Sequence, residues 1–170
     1  MVERIAVVLP LYSVRTGQVP ERSGINQWNA LGRQRAFGEA YIPIPKALRI
    51  GYPNFFPKQE IPFKLMTPDG RAFSAKVCQQ DGKALMTNPN RGICDWLFRK
   101  IDKSEMASRM RQIDSNPYSY QELESVGIDS VLITLTFQDN VAIYQIDPAA
   151  LGSYEKFLSD GTYSVVSLDL

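Results

Sequence analysis

Four arginines, Arg15, Arg22, Arg33 and Arg35, fall between Ser13 and Gly38 against a single acid, Glu21. Ser23, Asn26, Gln27, Trp28 and Asn29 are interleaved with them, and no hydrophobic period runs through the stretch. Unstructured loops of this length are uncommon in compact domains and tend to carry function. Arginine and serine are phosphate binders, while arginine, asparagine and glutamine present the paired donors and acceptors that match base edges. A second polar run, Gln79-Gln80-Asp81-Gly82-Lys83, is followed closely by Thr87-Asn88-Pro89-Asn90-Arg91. Two polar arms, spanning about 13–38 and 78–91, would suit a grip on a duplex groove. The same residues would also serve as ordinary solvated loops, with Asp81 capping its own turn before Gly82. Trp28 either stacks on a sugar or anchors its loop to the scaffold.

Other chemistry is poorly provided for. The chain has no histidine, which removes Ser/His/Asp and Cys/His nucleophile systems, histidine bases and histidine-bearing zinc sites. Two cysteines, Cys78 and Cys94, exclude a four-cysteine metal site or a disulfide scaffold; with apolar and aromatic neighbours they read as small core residues. Trp96, Phe98 and Phe137 are expected in the core as well. A metal-dependent nuclease would pair a Pro-Asp with a later Asp/Glu-x-Lys, but Pro68-Asp69 is followed by Ser74-Ala75-Lys76, with serine in place of the second acid. Glycine-rich phosphate loops are absent. No metal, cofactor or catalytic residue is expected.

The charge is unevenly distributed. Residues 1–103 hold 16 Lys/Arg against 8 Asp/Glu, and residues 104–170 hold 3 against 10, although the net charge is only +1. Such halves either interleave on the surface and cancel, or form a dipole with one basic face suited to a polyanion. No apolar run reaches the length of a membrane span, and the run Ile5 to Leu9 is too short for a signal peptide, so the expected location is cytoplasmic. A chain of 170 residues (19.2 kDa), 44% hydrophobic and 22% charged, fits one folded domain.

Strand signals dominate the elements that must hold these arms. Arg4 to Tyr12 is apolar and β-branched, and Ala40 to Pro45 reads as an edge strand that tolerates two prolines. Phe63–Thr67 and Arg71–Cys78 flank Pro68-Asp69-Gly70 as a hairpin, and Lys83–Thr87 follows as a short strand. Ser130–Phe137 and Val141–Ile146 flank Asp139-Asn140 as another hairpin, with a last strand expected from Thr162 to Leu168. Ile93, Trp96, Leu97 and Ile101 recur at helical spacing, Ser119 and Glu122 make a capping box ending at Gly127, and Ser104 to Ile113 is helical in pattern. Pro148 is expected to open a helix through Leu151, Tyr154 and Leu158, stopped by Gly161. The class this predicts is mainly β, a barrel or sandwich with short helices at its ends.

The strings Arg22-Ser23-Gly24-Ile25-Asn26, Glu39-Ala40-Tyr41-Ile42-Pro43-Ile44-Pro45, Asn54-Phe55-Phe56-Pro57 and Gln79-Gln80-Asp81-Gly82-Lys83-Ala84 resemble the C-terminal half of NgoFVII/NgoAVII-type restriction endonucleases. The resemblance runs from about Leu11 to Ile146. It implies a DNA-recognition domain like those of BfiI, EcoRII and the plant B-three transcription factors: a seven-stranded open pseudobarrel gripping the major groove. One arm would follow the first strand and the other would join the fourth and fifth. The DNA-binding residues implied are Arg15, Arg22, Ser23, Asn26, Gln27, Trp28, Asn29, Arg33, Arg35, Gln79, Gln80, Asp81, Lys83, Thr87, Asn88, Asn90 and Arg91. The partners implied are double-stranded DNA, a phospholipase-D-like nuclease half and a further restriction subunit. That nuclease half needs a histidine-lysine pair, which this chain lacks. A small dispersed-carboxylate nuclease and a β domain docking a partner subunit are the competing classes.

Overall fold

Both expected hairpins form, each with the backbone its turn residues permit. Gly70 takes a φ of 86° between β3 (Phe63–Met66) and β4 (Ala72–Cys78). Asp139 and Asn140 both take positive φ (50° and 64°), the primed turn whose twist matches that of paired strands, and they join β6 (Ile128–Gln138) to β7 (Val141–Ala150). The structure, a computed structural model, describes residues 5–27, 40–88, 92–102 and 116–160. With β1 (Ile5–Pro10), β2 (Ile42–Pro43) and β5 (Ala84–Asn88), these strands form one seven-stranded sheet in the order β1-β6-β7-β3-β4-β5-β2. Only the β3–β7 pair is parallel. The two edges, β1 and β2, approach each other without pairing, so the sheet curls into an open pseudobarrel.

Among the described residues, four helices accompany the sheet: α1 (Lys46–Gly51), α2 (Gly92–Ile101), α3 (Tyr120–Val126) and α4 (Ser153–Asp160). Helix α2 buries Ile93, Trp96, Leu97 and Ile101, the residues at its helical spacing. Helix α3 has the full capping box: Ser119 Oγ accepts from the Glu122 amide, and Glu122 accepts from the Ser119 amide. Val7, Leu9, Leu65, Leu85, Ile133 and Ile146 fill the barrel, and both cysteines are buried and unbridged. No described helix is long and apolar enough to cross a membrane.

Two expectations are corrected. Pro148 does not open a helix; it lies in β7 opposite Val131, and α4 starts only after Gly152 turns the chain at a φ of 78°. Strand β3 pairs only with Tyr144 and Gln145, so at Pro148 one side of β7 carries no ladder and a residue without an N–H is tolerated. Phe137 is exposed rather than core: it lies opposite Ala142 near the tip of the β6–β7 hairpin, two residues before the Asp139-Asn140 turn. The helical run Ser104 to Ile113 and the strand Thr162 to Leu168 lie outside the described residues.

Buried phenols cluster where α3 and α4 meet the sheet. Asp129, itself buried, accepts from Tyr120 Oη (2.9 Å), Ser130 Oγ (2.7 Å) and the Gly152 amide (3.2 Å). Burial first, then the Asp129 carboxylate, pushes the Tyr120 phenol up to about 12. Burial alone pushes Tyr144 to about 12, and it also raises Tyr12 and Tyr154. A phenol whose folded value lies above its unfolded value near 10 stabilises the fold below that pH and loses this as pH rises through the folded value. The urea midpoint is therefore expected to be level between pH 7 and 8, with no histidine to titrate there, to begin falling above about pH 8.5 as the Cys78 thiol, pushed up by burial in the fold, titrates in the unfolded chain, and to fall more steeply above pH 10. An unchanged midpoint at pH 11 would contradict this.

Candidate nucleic-acid interface

The first arm leaves β1 and immediately makes a closed turn. Ser13 donates to Gln18 O (2.9 Å) and Gly17 donates back to Ser13 O (2.8 Å), which leaves Arg15 at an exposed tip. The chain then buries Val19, exposes Arg22 and half-buries Ser23. Gly24 takes a φ of 63° to open the buried turn Gly24–Asn26. Its carbonyl accepts from the Tyr41 amide (3.3 Å), so the arm returns to the start of β2. Asn26 is a structural residue rather than an exposed reader: it is 1% exposed, with its amide hydrogen-bonded to Pro20 O, Tyr118 O and Tyr118 N. Gln27 is half-buried, and its Oε1 has no partner among the described residues. Trp28, Asn29, Arg33 and Arg35 lie outside the described residues.

The second arm is a short, contorted connection between β4 and β5. Gln79, Asp81 and Gly82 take positive φ (68°, 61° and 67°), which only glycine adopts without strain. Gly82 is buried, and a Cβ there would sit 3.0 Å from Val77. Gln79, Gln80, Asp81 and Lys83 are all exposed. Two side chains distant in sequence hold the arm's backbone: Arg49 Nη1 donates to Asp81 O (3.1 Å) and Gln59 Nε2 to Gln79 O (2.6 Å).

Thr87 and Asn88 are not a continuation of this arm. Strand β5 occupies Ala84–Asn88, so Asn88 sits about 13 Å further along an extended chain, at the opposite end of the strand. Antiparallel pairing of Ile42 with Leu85 puts that end on the side where β2 receives the first arm. Asn88 is exposed there. Thr87 is buried and structural; its Oγ1 accepts from the Ile93 amide (3.3 Å) in the first turn of α2. Asn90 and Arg91 lie outside the described residues.

Strand β2 is the bar between the two arms. Tyr41 binds the first arm through Gly24 O, and Ile44 donates to Lys83 O of the second (2.7 Å). Three extended residue steps separate these anchors by about 10 Å, close to the roughly 12 Å width of a major groove. Arg15, Arg22 and Lys83 are exposed on the arms, and Lys46 is exposed two residues past Ile44. Sequence reasoning missed Lys46, Arg49 and Gln59. Lys46 follows the AYIPIP string directly, a signal available in the sequence, whereas the other two are placed only by the fold.

On the β3–β4 side, Asp69 and Glu60 are occupied with structure. Asp69 accepts from Thr67 Oγ1 and from the Arg71 amide and Nε, and these contacts, Thr67 foremost, hold its carboxyl below the ordinary range. Lys76 pairs with Glu60 at 2.7 Å, not with Asp69. No group of three metal-ligating side chains converges among the described residues.

A family model described as the NgoFVII C-terminal B3-like DNA-binding domain matches residues 2–105, a span containing β1 to β5 and both arms. No curated protein matches the chain. Among solved structures, a hypothetical Arabidopsis thaliana protein aligns over 88% of this chain and 94% of its own, at 9% identity and a TM-score of 0.32, a likeness that carries no argument. The family match covers more than half of the chain and includes the β2 bar with the arms at either end of it; the chain belongs to the family of NgoFVII C-terminal B3-like DNA-binding domains.

Proposed function

We propose that this chain is the target-recognition module of a type II-like restriction endonuclease, reading a short double-stranded site in the major groove. The observation that carries this is the pair of polar arms based about 10 Å apart on β2, a spacing that suits one groove. Arg15, Arg22, Ser23 and Lys83 hold phosphates. Gln79, Gln80, Asp81 and Asn88 face base edges, with Gln27, Trp28, Asn29, Arg33, Arg35, Asn90 and Arg91 completing the contact surface. In the parent protein a phospholipase-D-like nuclease half cuts the phosphodiester, with a further restriction subunit as a possible partner, in the cytoplasm. This chain alone leaves duplex intact with Mg²⁺, Mn²⁺ or chelator, and no cofactor enters.

A carboxylate on a DNA-facing arm repels phosphate and accepts only from the amino groups of cytosine or adenine. Asp81 therefore reads such a group, and with arginines opposite guanine the site contains G·C pairs. The test is selection of bound duplexes from a random library by the wild type and by Asp81→Ala. The wild type is expected to return one short site, and the variant to lose preference at one position by about 1–3 kcal/mol. A purely A·T site, or an unaltered preference in the variant, would refute the assignment of Asp81.

A further inference from the structure

The second arm packs on Val77 at Gly82 and borders a cavity along the rest of its inner side. Beneath Asp81 and Gly82 lies a cavity of about 220 Å³, walled by Val7, Leu48, Phe55, Phe56 and Val77. Arg49 and Gln59 also line it, and each reaches the arm's backbone. One guanidinium links two elements: Arg49 Nε donates to Ile44 O beside β2 (3.2 Å), and Nη1 donates to Asp81 O. Gln59 Nε2 donates to Gln79 O, while its neighbour Glu60 is fixed to β4 through Val77 O (2.8 Å) and Lys76 (2.7 Å).

Both carbonyls held in this way belong to non-glycine residues in the left-handed region, Gln79 and Asp81. L-residues leave that region unless something holds them there. A carbonyl fixed in space also fixes the Cα–Cβ direction of its own residue, and hence where the side chain points. We propose that Arg49 and Gln59 are positioning residues for sequence discrimination: without touching DNA, they hold Gln79 and Asp81 in the strained backbone that aims them at the bases. This inference rests on the recognition reading above.

The experiment compares affinities for the duplex selected by the wild type and for a scrambled duplex of equal length. The variants are Gln59→Met, which keeps size without a donor, and Arg49→Lys, which keeps charge but has one nitrogen in place of the planar fork whose Nε and Nη1 reach Ile44 O and Asp81 O separately. In each, the ratio of the two affinities is expected to fall roughly five- to tenfold, as for loss of one hydrogen bond. Affinity for the scrambled duplex, its salt dependence and the thermal midpoint should stay at wild-type values, because net charge and core are unchanged. Gln59→Lys, which restores a donor to Gln79 O, should recover the ratio. Wild-type ratios in both Gln59→Met and Arg49→Lys, or an equal loss on both duplexes, would overturn the inference. A wild type that does not discriminate at all would instead overturn the recognition reading and this inference with it.

Discussion

Asn26→Ala is expected to destabilise the fold by about 3 kcal/mol, because it removes three side-chain hydrogen bonds to the backbone at once. The Asn26 side chain donates to Pro20 O (2.9 Å) and Tyr118 O (2.8 Å) and accepts from the Tyr118 amide (2.8 Å). Tyr118 is itself buried, with its ring against Phe98 and its hydroxyl on Asp102 (2.6 Å). Truncation removes the side-chain partner of the Pro20 and Tyr118 carbonyls and of the Tyr118 amide, and opens a void between them. Each buried unsatisfied group costs about 1–3 kcal/mol, reduced where water enters. Asn26→Asp keeps the acceptor and loses both donations, so it should cost nearly as much. Because Asn26 also closes the turn at the root of the first arm, both variants should lose DNA affinity beyond what their stability explains. Urea unfolding measures the first effect, and a loss under about 1 kcal/mol would show that the bridge is not a structural centre.

The largest expected effect on binding comes from salt. Arg15, Arg22, Lys46 and Lys83 are exposed at the arms and the β2 bar. Each phosphate neutralised contributes about −0.9 to the slope of log affinity against log salt, so four contacts give a slope near −3.6. Raising salt from 50 to 200 mM should then weaken binding a little over a hundredfold, and more if Arg33, Arg35 and Arg91 also reach phosphates. Arg22→Ala should weaken selected and scrambled duplexes alike and reduce the slope by about 0.9. Affinity that hardly changes across this range would remove the basic face from the account of binding.

The strands were legible because their signals are local. The turns at Gly70 and at Asp139-Asn140, and the alternation on either side, determine hairpins without reference to the rest of the chain. Pro148 misled for the opposite reason: whether proline is tolerated in β7 depends on how far β3 pairs with it, which no local window contains. The arms were visible as polar composition, but composition cannot separate exposed readers from polar groups that hold backbone together. Asn26 resembles its neighbours in sequence and differs only in a partner 92 residues away. Thr87 looks like a loop residue and serves the amide of Ile93. Arg49 and Gln59 carry no local signal, because their contacts with the second arm depend on the whole barrel having closed.

Among the described strands, β1 is made before the others and is almost the last to be satisfied. Its ladder partner is β6, with Ile5 opposite Leu135, about 130 residues later. At a synthesis rate of about 5–20 residues per second, the apolar segment Ile5–Pro10 waits roughly 6 to 26 s for its partner to be made. Helix α1 and the β3–β4 hairpin can form meanwhile, but the barrel cannot close. Folding of the finished chain should also be slow, in the millisecond-to-second range usual for sheets built from distant pairings. A nascent chain therefore has no competent grip on DNA until the β6–β7 hairpin has left the ribosome, and over that interval its exposed first strand is a natural substrate for chaperones.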